Sequence, residues 1–125
     1  MIAVLKWAVA LWFISICAAN AQQRTEIKKG DLTGTNMEIT MGMLEVAPGQ
    51  SIARHTHPGE EAYYVLEGAT IELPDGKKVP LATGTGSINV RGVPHAGFKV
   101  VGDKPLKLLT VHIVDKDKPM TEWVK

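Results

Sequence analysis

Glycine and proline interrupt this sequence about every ten residues, and that spacing limits the folds open to the chain. The stretches between them are rich in β-branched residues, and none keeps a helical period over a convincing length. Short strands separated by turns at such intervals are typical of a β-sandwich or β-barrel. The predicted strands cover residues 36–47, 51–57, 62–67, 69–73, 79–82, 87–91, 96–101 and 106–114. We therefore predict an all-β fold.

The first residues differ in composition from the rest of the chain. Lys6 is followed by the apolar run 7–14, and Ala19-Asn20-Ala21 supplies an A-x-A cleavage pattern. These features are typical of a secretory signal peptide that is cleaved after Ala21. Because the apolar run is shorter than the roughly 20 residues needed to span a bilayer, we expect cleavage rather than a retained membrane anchor.

Cleavage would leave 104 of the 125 residues and remove the only cysteine, Cys17, so no disulfide is expected. It would also leave 13 basic and 13 acidic residues, with no basic stripe that could neutralise phosphates. We therefore expect no nucleic-acid partner, and no membrane partner after cleavage. An exported protein in the bacterial periplasm is the predicted location, with the extracellular space as the alternative.

Two of the four histidines stand one residue apart, at His55 and His57. Residues two apart in a strand point to the same face, about 6.6 Å from each other, so the two imidazoles can converge on one ion. A Pro-Gly turn then reverses the chain and can return Glu61 to the same place, and the distant His95 can close the set. Three neutral imidazoles and a carboxylate suit Fe, Mn, Ni, Cu or Zn rather than Ca or Mg. Glu60 is a competing carboxylate, although strand alternation favours Glu61.

The spacing of these residues resembles the two sequence motifs of the cupin superfamily. The first motif, G-x5-H-x-H-x3-E-x6-G, is matched at every specified position, by Gly49, His55, His57, Glu61 and Gly68. The second motif, G-x5-P-x-G-x2-H-x3-N, is matched by Gly84, Gly92 and His95, with Val90 and Lys99 in its proline and asparagine positions. The resemblance runs from about residue 37 to 120 and is that of a small single-domain cupin.

The resemblance implies a small β-barrel of the double-stranded β-helix, or jelly-roll, type. It further implies one divalent transition metal held by His55, His57, Glu61 and His95. Four protein ligands on an octahedral ion would leave two positions for water, O₂ or a chelating substrate, as in a catalytic site. Since small cupins resemble one another in forming dimers through sheet packing, a homodimer is also expected.

The expected organisation has four parts: a signal peptide (1–21), an N-terminal arm (22–35), the cupin domain (36–120) and a C-terminal tail (121–125). If Glu61 faces the ion, Tyr63 shares its face and is a candidate for orienting substrate, or simply fills the barrel. His112, on the last strand, is a candidate proton donor or base if it points inward, and a solvated histidine if it does not. Methionines occupy positions 37, 41 and 43, which lie on one face of the first predicted strand. Pocket lining or core packing is favoured for them over metal ligation.

Two functions are favoured at this point over a third, purely structural role, which would leave an open coordination sphere unused. The first is a secreted metal-dependent enzyme acting on a small oxygen-rich or aromatic substrate, as a dioxygenase, decarboxylase or isomerase. The second is a binding or sensor protein that holds a metal or a small molecule without turnover. The signal peptide has no twin arginine, so we expect export unfolded and metal loading outside the cytoplasm, where copper and zinc are favoured.

Overall fold

The computed structural model describes residues 22–125, which fold into eleven β-strands with no helix among them. Within this part of the chain there is thus no helix long and apolar enough to cross a membrane. The predicted signal peptide, 1–21, lies outside the described residues.

The strands form three antiparallel sheets. In chain order they are β1 (Gln23–Leu32), β2 (Met37–Val46), β3 (Ser51–Ile52), β4 (His55–Thr56), β5 (Gly59–Glu67), β6 (Ala69–Glu72), β7 (Lys78–Leu81), β8 (Gly86–Asn89), β9 (Phe98–Val101), β10 (Leu106–Asp115) and β11 (Glu122–Trp123). The largest sheet has the order β1-β2-β10-β5-β8, the second β3-β9-β6-β7, and β11 pairs with β4. This arrangement confirms the predicted all-β class.

The core lies between the two larger sheets. Val46 and Leu106, opposite each other on β2 and β10, are fully buried, as is Val100 of the smaller sheet. Burial alternates at every residue of β10, because successive side chains of a strand point to opposite faces. The inward positions of β10 continue from this apolar end to Thr110 and His112, so the same alternation carries polar groups into the barrel.

Three segments differ in detail from their predicted form. The predicted strand 51–57 is divided into β3, which pairs with β9, and β4, which pairs with β11. Residues 23–32 of the expected arm form an edge strand hydrogen-bonded to β2. In the C-terminal tail, residues 122 and 123 form β11. The polar arm and the tail are therefore paired to the sheets through their backbones.

The methionine face of β2 lies on the outside of the barrel. Thr40, Leu44 and Val46 take the inward positions, which leaves Met41 and Met43 on the opposite face. The expectation that these methionines line the pocket or the core is wrong, because the even-numbered residues of β2 point inward and the odd-numbered ones, which include the methionines, point outward.

Candidate metal centre

Three histidines and a glutamate from two parts of the chain, residues 55–61 and His95, meet inside the barrel. His55 lies on β4, His57 directly follows that strand, Glu61 lies on β5, and His95 lies in the β8–β9 connection. The backbones of His55 and His95 exchange hydrogen bonds of 3.1 and 3.0 Å, which fixes the distant histidine beside the local pair. One ligand atom from each of the four residues lies within 4.8 Å of the others. The structure therefore brings together all four predicted ligand residues.

Backbone carbonyls orient the three imidazoles. Each ring places Nδ1 within hydrogen-bond distance of a carbonyl oxygen; the acceptors are Ala53 for His55 (2.7 Å), Met120 for His57 (2.6 Å) and Val93 for His95 (3.1 Å). A carbonyl can only accept, so Nδ1 carries the proton and donates it. In the neutral ring Nε2 then has a free lone pair, which is the arrangement usual for a metal-binding histidine.

The atoms that face one another fit a bound cation. Oε2 of Glu61 lies 3.3 Å from Nε2 of His57 and 3.3 Å from Nε2 of His95. Both of these Nε2 atoms are buried and have no hydrogen-bond partner among the described residues. Because lone pairs on a carboxylate oxygen and on imidazole nitrogens repel each other, a proton or a metal ion is needed between them. Nitrogen and oxygen donors of this kind suit a divalent transition metal.

Two further side chains hold the carboxylate of Glu61. Nδ2 of Asn89 donates a hydrogen bond of 2.8 Å to Oε2, and Nε2 of His112 lies 3.2 Å from Oε1. Burial by itself would raise the pKa of Glu61, but its contacts with His112 and Asn89 outweigh burial and hold the pKa far below its ordinary value. Glu61 is therefore ionised, as a metal ligand must be.

His55 also has the protonation state of a ligand. Burial lowers its pKa below the ordinary value, and the neighbouring imidazoles of His95 and His57 act in the same direction, against the hydrogen bond to Ala53. Its ring lies edge-on to that of Trp123 on β11, with centroids 5.6 Å apart. The pairing of β11 with β4 thus covers the outer side of this imidazole.

The other predicted site residues lie on different sides of the ligand group. Tyr63 points inward on the face of Glu61 and lines a cavity of about 110 Å³ with His55 and His95. His112 is inward and only 1% exposed, and it lines a smaller cavity of about 70 Å³. Glu60 faces the other side of β5, away from the imidazoles.

Asn89, Arg24 and the carbonyl of Met120 belong to the site but were not found from the sequence. Asn89 reaches Glu61 because β8 pairs with β5 in a register that places these two residues opposite each other. Arg24 lines the larger cavity from β1, which was expected to be an arm. The polar side chain of Asn89 between two apolar neighbours was a weak signal, and a backbone carbonyl has no signal in sequence.

Comparison with known proteins places this site in a family context. A family model described as "Cupin domain" matches residues 42–112, more than half of the chain. An oxalate-binding protein of Thermotoga maritima is 33% identical over 72 residues, which are 57% of this chain and 59% of that protein. The chain spans less than two thirds of the length of the curated relatives it matches.

Solved structures show the same fold. The polyketide cyclase RemF from Streptomyces resistomycificus is 32% identical, with a TM-score of 0.54 over 74% of this chain and 63% of that chain. A protein with a double-stranded β-helix domain from Klebsiella pneumoniae has a TM-score of 0.60 over 86% of this chain and 88% of that chain. At 20% identity the second likeness concerns the fold alone.

Proposed function

The chain belongs to the cupin family, and we propose that its barrel binds one divalent transition metal on His55, His57, Glu61 and His95. One observation carries the proposal: four ligand atoms lie within 4.8 Å of one another, and each imidazole has its Nδ1 proton committed to a backbone carbonyl. Such a set has lone pairs directed at a shared point and needs a cation to stabilise it.

We further propose that the protein is an enzyme acting on a small oxygen-rich or aromatic substrate, with oxygenase, decarboxylase or isomerase chemistry. The bound metal would supply a Lewis acid or, if it is iron or copper, an O₂-activating centre. Tyr63, which lines the larger cavity beside Glu61, is proposed to orient the substrate with its phenol. His112 is proposed as a proton donor or base, and its 3.2 Å contact with Glu61 makes that carboxylate its immediate partner.

The alternative is a protein that binds a small molecule without turning it over. The Thermotoga maritima relative is named as an oxalate-binding protein, and several cavity-lining residues here, including Leu44, Ile52, Phe98 and Leu108, carry no group for proton transfer. Saturable binding of a ligand that is recovered unchanged would support this alternative over the enzyme.

Export to the bacterial periplasm is proposed from the composition of residues 1–21. N-terminal sequencing of protein recovered from the periplasmic fraction tests it, with Gln22 as the expected first residue. Recovery only from the cytoplasm with Met1 retained would contradict it.

A homodimer is proposed through the outer face of the largest sheet. The register places Met41, Val111, Ala62 and Ile88 in one row across four strands, and Ile88 is 64% exposed. A continuous apolar face of this kind is self-complementary in a two-fold pair. Light scattering should give a dimer that Ile88→Glu converts to a monomer, whereas Val93→Glu, at an exposed loop position, leaves it intact. A monomeric wild-type protein would contradict the proposal.

Elemental analysis of the exported protein tests the metal site. We expect near-stoichiometric metal in the wild-type protein and in Glu60→Gln, and little metal in Glu61→Gln or His57→Ala. The two glutamine variants are matched, since they remove the same charge from neighbouring residues on opposite faces of β5. The proposal would be contradicted if the wild-type protein contained no metal, or if both Glu61→Gln and His57→Ala kept the full metal content.

A further inference from the structure

Arg24 brings a positive charge into the wall of the larger cavity. Although the residue as a whole is exposed, its Nη1 donates a 3.4 Å hydrogen bond to Oγ1 of Thr110, which is fully buried. Arg24 lies opposite Leu44 on β2, an inward residue, so its side chain is on the inner face of the sheet. The residue of β2 that pairs with Thr110 is Gly42, so β2 places no side chain at this position.

The guanidinium of Arg24 has N–H groups that are not used in a side-chain hydrogen bond. Among residues 22–125 no carboxylate lies within ion-pair distance of it, and the contact with Thr110 is its one side-chain hydrogen bond. Arg91 differs, because it is held by two hydrogen bonds of 2.9 and 3.1 Å to Asp115. A guanidinium has five N–H groups in a planar fork that matches a carboxylate, so Arg24 can accept such a partner without giving up an existing one.

The charges that line this cavity favour an anion. Arg24 and Glu61 are its only charged lining residues in the described chain. Their charges cancel, so a divalent ion at the proposed centre leaves the cavity with a net charge of about +2. An apolar wall of side chains such as Leu44, Ile52 and Phe98 strengthens the field of these charges on a ligand.

The hydrogen bond to Thr110, which with Arg24 also lines the smaller cavity, places the guanidinium near the metal centre. Thr110, the partner of Arg24, is two residues from His112 on β10, and His112 lies opposite Glu61 on β5. Two residues of an antiparallel strand span about 6.8 Å. Arg24 and Glu61 both line the cavity of about 110 Å³, a volume that holds a small organic molecule.

We propose that the cavity binds a short dicarboxylate, with a hydroxy acid or carboxylate end at the metal centre and the distal carboxylate paired with Arg24. The inference rests on the proposed metal function and adds the ligand class to it. Arg24 is then the residue that determines specificity, because it distinguishes a ligand with a second carboxylate from one of the same shape that ends in a methyl group.

Isothermal titration calorimetry with malate and 2-hydroxybutyrate tests this inference. The two ligands share the 2-hydroxy acid end and differ in a distal carboxylate against a methyl group. Metal-loaded wild-type protein should bind malate about tenfold more tightly. Arg24→Gln should abolish the preference, with a much smaller loss of affinity for 2-hydroxybutyrate than for malate, and Arg24→Lys should retain part of the preference. Lys28→Gln is the matched control, since it removes a charge from the same strand opposite the outward-facing Met41.

Metal content measured on the same samples separates the two proposals. Metal-loaded wild-type protein that does not prefer malate, or a preference that survives Arg24→Gln, overturns the role of Arg24 and leaves the metal site intact. If the wild-type protein takes up no metal, the metal function fails. The same titration on metal-free protein then tests whether Arg24 binds a carboxylate. A preference for malate that is lost in Arg24→Gln supports this role of Arg24, and equal binding of the two ligands overturns it.

Discussion

Residues 120–125 should control metal affinity, although they contribute no ligand atom. Nδ1 of His57 lies 2.6 Å from the carbonyl oxygen of Met120, and β11 pairs with β4 beside His55. Truncation after Pro119 removes that acceptor and the β11 strand while leaving β1–β10 in place. The His57 ring then loses the group that fixes its tautomer and its orientation.

Loss of such a partner costs about 10–100-fold in metal affinity, or about 1.4–2.8 kcal/mol. The hydrogen bond to Met120 is the shortest of the three that orient the imidazoles, so we expect the truncated protein to fall within this range. The assay is a competition titration of zinc against a chelator, on full-length and truncated protein. Thermal unfolding followed by circular dichroism, on metal-free samples, establishes that the truncated chain is folded.

Met120→Ala is the matched control, because it changes the side chain and keeps the carbonyl. Its affinity for zinc should equal that of the wild-type protein. A folded truncated protein with unchanged zinc affinity would refute the reasoning. An equal loss in Met120→Ala would place the effect in the side chain rather than in the backbone acceptor.

Three further predictions concern the stability of the fold. Hydrogen bonds from Arg91, and then from Lys118, lower the pKa of Asp115 to about 2 from 3.8, so Asp115 stabilises the fold above pH 3.8 and loses this effect as the pH falls through 2. Asp115→Asn should therefore lower the melting temperature at pH 7. The difference in melting temperature from wild type should disappear as the pH falls from 3.8 to about 2, and a difference that stays constant with pH would contradict the prediction. Gly59→Ala should destabilise by about 3 kcal/mol or more, because a Cβ would overlap the backbone of β10, whereas Gly30→Ala, with no atom within 4 Å, should stay within about 0.5 kcal/mol. Leu106→Ala, at a fully buried position, should cost about 2–5 kcal/mol in denaturant unfolding, and a loss below that range would mean that the core closes around the missing atoms.

Local spacing predicted the parts of this protein that depend on neighbours along the chain. Glycine and proline at turn intervals indicated an all-β fold, and the structure confirms it. The spacing of His55, His57 and Glu61 placed three donors together because strand alternation and a tight turn act over a few residues. The same alternation separated Glu61 from Glu60, which the structure places on opposite faces.

Strand pairing decided what spacing along the chain could not. The sequence contained both ends of each long-range contact, but not the register that joins them. Asn89 meets Glu61 through the β5–β8 pairing, and Arg24 enters the cavity only because β1 pairs with β2. The phase of β2 was misjudged for the same reason, since a strand with apolar residues on both faces does not show which face a partner sheet will cover.

The orientation of the imidazoles depends on tertiary structure most of all. The sequence determined that histidines and a carboxylate would be available at this end of the barrel. The acceptors that fix the imidazoles are backbone carbonyls, and the one for His57 lies 63 residues further along the chain. Every residue has a carbonyl, so only the folded path of the chain decides which one meets the ring, because the position of a backbone group depends on chain geometry and not on side-chain identity.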